Sequence, residues 1–86
     1  MNATTLFRNE LAKIPAETRK QVDMSWAIAD KIDALLHKRG MSQKEFARLM
    51  GKTEPEVSRW MGGTHNFTLR TIAKISTVLG EDLIQV

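Results

Sequence analysis

Arg59 carries the most directive chemistry in this 86-residue chain. A guanidinium can donate two parallel hydrogen bonds to one flat acceptor pair, such as guanine O6 and N7, and the adjacent Ser58 hydroxyl can serve a base edge or a phosphate. Charge around them has the same bearing. Between residues 38 and 74 stand eight Lys/Arg (38, 39, 44, 48, 52, 59, 70 and 74) against three Glu (45, 54 and 56), a local balance of +5 in a chain whose net charge is +3. Positive charge gathered on one stretch suits an anionic partner. Catalysis lacks its parts: there is no cysteine, no serine nucleophile with a nearby base, no paired-carboxylate pocket and no HExxH. Gly62-Gly63 is followed by Thr64-His65, without the Lys-Ser/Thr of a phosphate loop. His37 and His65 lie far apart with no thiolate beside either, so a metal centre is not expected. The expectation is a binding protein without cofactor, not an enzyme.

Residues 42–62 are the elements that must position these groups, and they read as two short helices joined by a tight turn. Ser42 caps the first helix, with Glu45 three residues on completing a capping box; Phe46, Leu49 and Met50 form its buried stripe, and Gly51 ends it. Thr53 caps the second, with Glu56 as its box partner and Pro55 in the first turn, where a missing N–H costs little. Val57, Trp60 and Met61 face inward, and Ala47 lets the two backbones approach. This is the geometry of a helix-turn-helix, in which the second helix enters the major groove by its N-terminal residues while the first crosses the backbone. The exposed side of the second helix offers Glu54, Pro55, Glu56, Ser58 and Arg59. Arg59 is the best base reader, and a carboxylate such as Glu54 can accept from cytosine N4. Glu56 either faces a base or turns back onto its own helix end.

At matching positions the chain resembles the Cro/CI (XRE-type) helix-turn-helix family: Gln43 at the start of the first helix, Ala47 within it, Gly51 in the turn, Val57 and Trp60 inside the second, and Gly62-Gly63 just beyond. The resemblance covers about residues 27–80. It implies an all-α, five-helix bundle of lambda-repressor-like type and a DNA-binding regulator. It places Gln43 on a phosphate, flanked by Lys44, Lys52 and Thr53, and puts Glu54 and Pro55 where the family often carries polar base readers. Pro55 departs from that pattern, leaving apolar contact with a thymine methyl. Thr64, His65, Asn66 and Thr68 match the loop that touches the other strand, with Arg70 nearby. The partner implied is double-stranded DNA, bound at a pseudo-palindromic operator by a homodimer acting as a repressor. The small size and N-terminal extension also resemble a HigA-type antitoxin, whose further partner would be a toxin. The alternative is a protein-interaction module of the same fold, using the Trp26 face.

The remaining chain supports this centre. Residues 4–13 have the pattern of a short amphipathic helix with Leu6, Phe7 and Leu11 on one side, and Ile14-Pro15 breaks it. A long helix follows over about 16–39, with a kink or restart near Asp23 and a stop at Gly40. Met24, Ile28, Ile32, Leu35 and Leu36 make its core stripe. Val22, Trp26 and Ala29 lie roughly opposite, covered by the N-terminal helix of the same or another subunit. Thr68 caps a last helix over 69–79, whose inward face is Leu69, Ile72, Ala73, Ser76 and Leu79. Ile75 and Val78, with Leu83, Ile84 and Val86, form the expected dimer flank, and the tail has the weak alternation of an edge strand. The divisions are an extension (1–22), the DNA-binding domain (23–80) and a tail (81–86). No apolar run approaches the roughly 18 residues of a membrane span, the N-terminus lacks the apolar core of a signal peptide, and the lack of cysteine suits a reducing cytoplasm.

Overall fold

The computed structural model describes residues 8–10 and 12–86. Helix is the only regular structure among them: residues 8–10 and 12 are helical, and four helices follow, α1 (Ala16–Arg39), α2 (Gln43–Met50), α3 (Glu54–Met61) and α4 (Leu69–Leu79). The chain is thus all-α, the five-helix arrangement expected from its pattern. The part of the 4–13 helix carrying Leu6, Phe7 and Leu11 lies outside the described residues.

Each helix end follows from a residue suited to it. Pro15 precedes α1 and its carbonyl accepts from the Thr18 and Arg19 amides, replacing a side-chain cap. α1 then runs without interruption through Asp23, where the pattern predicts a kink, because Glu17 to Arg39 contains neither proline nor glycine. Ser42 Oγ, Thr53 Oγ1 and Thr68 Oγ1 accept from the amides three residues on, at 3.1, 3.3 and 3.2 Å. The return half of the capping boxes is absent: neither the Glu45 nor the Glu56 carboxylate makes a hydrogen bond. Gly51 stops α2 with φ 69°, which lets the Lys52 amide reach Ala47 O at 2.9 Å and turns the chain directly into α3.

α2 packs on α3 and α4, and α1 backs α3. The core joins Ile28, Ile32, Leu35 and Leu36 of α1 with Phe46, Ala47 and Met50, Val57 and Trp60, and Ile72, Ile75 and Leu79, closed by Leu83. Phe46 meets Trp60 edge to face at 6.3 Å, and Trp60 is core, as its spacing implies.

Several facing assignments are corrected. Leu49 is 45 % exposed. At about 100° per residue, α2 buries the arc spanned by Phe46, Met50 and Ala47, and Leu49 falls roughly 105° from its middle. Leu69, 76 % exposed, and Ala73 likewise rotate off the face of α4, while Ile75, expected on a flank, is fully buried between Ile72 and Leu79. On α1 the buried arc runs through Ser25, Ile28, Ala29, Ile32, Leu35 and Leu36, so Ala29 joins the core and Met24 is 52 % exposed. The tail forms no strand among the described residues. It is docked instead: Leu83 is buried, its amide donates to Ser76 Oγ at 3.0 Å, and Glu81 pairs with Lys31 and Lys38 of α1. The expected dimer flank therefore loses Ile75 and Leu83 to the core. No helix among the described residues is long and apolar enough to cross a membrane.

Candidate nucleic-acid interface

Gln43 is the first residue of α2 and Glu54 the first of α3, so each stands where backbone amides point outward without helical partners. The Gly51 turn brings the two starts together. Gln43, Glu54, Pro55 and Ser58 line one open surface cleft, although Gln43 lies eleven residues before Glu54 in the chain. One wall offers an amide, the other a carboxylate, an apolar ring and a hydroxyl. Free amides at both helix starts favour an anion against this wall.

Exposed cations stand on both helices and in the turn between them. Lys44 on α2, Lys52 in the turn and Arg59 on α3 are all exposed, and none is held in an ion pair among the described residues. Lys31 and Lys38 of α1 are instead engaged by Glu81. The cationic groups near the motif thus remain available for phosphate. Thr53 is exposed and spends one oxygen lone pair on the Glu56 amide, leaving its hydroxyl proton free to donate. Glu54 is exposed and Glu56 partly buried, and neither forms an ion pair among the described residues.

The loop after α3 is placed differently from the cleft residues. Thr64 is exposed, and Asn66 lines a separate cleft with Lys20, Gln21 and Ser25 of α1 and Leu69 of α4. His65 is half-buried rather than a freely solvated loop residue. Its ring meets Phe67 in a T-shaped contact at 4.8 Å and lies 6.0 Å from Trp60. Two α1 residues hold this loop, and neither role is visible in the sequence. Ser25, 5 % exposed, donates its hydroxyl to the His65 carbonyl at 2.7 Å. The Trp26 ring lies against Gly63, so closely that a Cβ there would fall 2.2 Å from two of its carbons. These contacts span some forty positions in the chain, and helical periodicity says nothing about them.

Comparison with known proteins agrees with this arrangement. The family model described as Helix-turn-helix matches residues 32–86, which covers the last third of α1, the whole α2–turn–α3 unit, α4 and the tail. No curated protein and no solved structure is matched. The match extends over more than half of the chain and coincides with the capped helices, the Gly51 turn and the exposed wall they build. The chain belongs to the Cro/CI (XRE-type) helix-turn-helix family, whose domain binds DNA.

Proposed function

We propose that this protein is a sequence-specific transcriptional repressor that binds a pseudo-palindromic operator as a homodimer and acts by occluding a promoter. The observation that carries the reading is the shared cleft of Gln43, Glu54, Pro55 and Ser58, on a motif whose Lys44, Lys52 and Arg59 are exposed and form no ion pair among the described residues. In this reading α3 lies in the major groove. Arg59 donates to a guanine and Ser58 to a neighbouring base or phosphate, while Pro55 packs on a thymine methyl. Gln43, Lys44, Lys52 and Thr53 grip the backbone on one side of the groove, and Thr64, His65 and Asn66 approach it on the other. Two subunits present their α3 helices one DNA turn apart, about 34–36 Å.

Selection from a random DNA pool at near-physiological salt tests this reading. It expects an inverted repeat with half-sites about ten base pairs apart. Lys44→Glu, Lys52→Glu and Arg59→Glu should each abolish retention while leaving the fold intact. No enriched motif, with weak binding that vanishes steeply as salt rises, would refute it.

A HigA-type antitoxin is a second reading built on the same DNA-binding face. It draws on an apolar strip at the N-terminal end of α1, where Ile14 and Val22 are each 38 % exposed and line a shallow cleft with Thr18 and Arg19. Co-expression with the product of the adjacent gene tests it: relief of growth arrest that Val22→Asp abolishes supports the antitoxin, and no arrest to relieve refutes it.

A further inference from the structure

The loop that follows α3 has no regular structure over residues 64–68, yet three independent contacts hold it. The first is the Ser25 hydroxyl on the His65 carbonyl, a hydrogen bond made by a nearly buried polar group of α1. The second is the Trp26 indole lying on Gly63, which has φ 83° and no side chain, so that ring and backbone touch face to face. The third is the aromatic contact of His65 with Phe67 and with Trp60, and Trp60 belongs to α3. The loop is therefore tied at adjacent points to α1 and α3 at once. Trp26 is still 47 % exposed, and Gly63 of the loop lies against its ring.

We propose that Ser25 and Trp26 are positioning residues that fix the 62–66 loop, so that Thr64 and Asn66 meet the DNA backbone in a conformation set before binding. This rests on the DNA-binding reading above and adds a role for two residues of α1 that do not line the Gln43–Ser58 cleft. A loop ordered in advance gives up less conformational freedom on binding, and a phosphate contact depends on the donor being within hydrogen-bond reach. Neither Ser25 nor Trp26 touches DNA in this account. Each acts through the loop backbone.

The test uses the full chain and the DNA recovered by selection, with affinity measured by fluorescence anisotropy from 50 to about 300 mM salt, a range in which phosphate contacts dominate the dependence. Thr64→Ala with Asn66→Ala removes two uncharged donors to phosphate, so it should weaken binding several-fold at each salt concentration while leaving the slope of log affinity against log salt, which counts neutralising cations, unchanged. Ser25→Ala removes only a hydroxyl, so the core stays filled. It and Trp26→Ala should each weaken binding in the same way, leave the slope and the selected base preference unchanged, and speed amide exchange in residues 63–66 without doing so in α2. Added to the Thr64/Asn66 double variant, Ser25→Ala should weaken binding no further. A purely structural role predicts a lower melting temperature with an unaltered affinity, and that result overturns the proposal. So does a Thr64/Asn66 variant whose affinity equals the parent's, because the loop would then lie off the DNA. Failure of the unmodified chain to bind any DNA would instead refute the repressor reading itself.

Discussion

Replacing Gly63 with alanine probes the contact between the loop and α1 more sharply than any surface change. Two costs arise. At φ 83° a residue with a Cβ is strained, by about 1–2 kcal/mol for a left-handed conformation. The new Cβ would also fall 2.2 Å from Trp26 Cδ2 and Cε3, so the indole must leave its seat. Trp26 is 47 % exposed, so roughly half of a large aromatic surface, about 120 Å², is covered; at about 25 cal/mol per Å² this gives about 3 kcal/mol. Compactness of the unfolded chain trims that to about 2 kcal/mol. Gly63→Ala alone should therefore cost about 3–4 kcal/mol, and Trp26→Ala alone about 2 kcal/mol. In the double variant the collision is gone, and only the backbone strain and the missing ring burial remain. Its cost should fall short of the sum of the single costs by about 2 kcal/mol, the ring burial that both single variants lose. Urea unfolding followed by far-ultraviolet circular dichroism measures all three, provided the slopes agree. Additivity within about 0.5 kcal/mol would show that the ring and the glycine do not meet, and the reasoning would fail.

Other outcomes follow from single contacts. Phe46→Ala empties a fully buried site and removes the edge-to-face contact with Trp60, so it should cost about 3–5 kcal/mol, read as a loss of tens of degrees in melting temperature. Ser42→Ala strips the cap from α2 and should cost about 1 kcal/mol, whereas Lys44→Ala on the same turn should leave stability unchanged and weaken DNA binding. Arg59→Ala should relax preference at one base pair by about 1–3 kcal/mol, seen as a single degenerate position on repeating the selection. The Lys38 ammonium, which bonds to Glu81 with Lys31 nearby, holds the Glu81 carboxyl below its usual range. Its contribution to stability is present above the ordinary glutamate value of about 4.3 and is lost as pH falls through the lowered folded value. Glu81→Gln should therefore flatten that acidic part of the urea-midpoint profile; a profile identical to the parent's would show the pairing to be idle.

Local chemistry was legible wherever it concerns one turn of chain. The caps at Ser42, Thr53 and Thr68 and the left-handed stops at Gly40, Gly51 and Gly80 lie where the residue types put them, because each is decided by hydrogen bonds within four residues. The two-helix unit and the family could be recognised for the same reason. Facing was less legible. Leu49, Leu69 and Met24 are apolar and sit at acceptable spacing, yet stand at the rim, since each helix offers several apolar arcs and its neighbours select one. Ile75 went the other way, from presumed flank to the centre of the core.

By itself, then, the sequence determined an all-α chain built on two capped helices around Gly51, an apolar stripe with Trp60 in it, and a basic surface bearing Arg59, Lys44 and Lys52. Those properties depend on backbone preference and charge, which neighbours along the chain carry. Only the tertiary structure decided that Gln43 shares a cleft with Glu54, Pro55 and Ser58, that Leu83 closes the core in place of an edge strand, and that Ser25 and Trp26 hold the loop containing His65. These are contacts across a packed interior, and they exist only once α1, α2, α3 and α4 have buried their faces against one another.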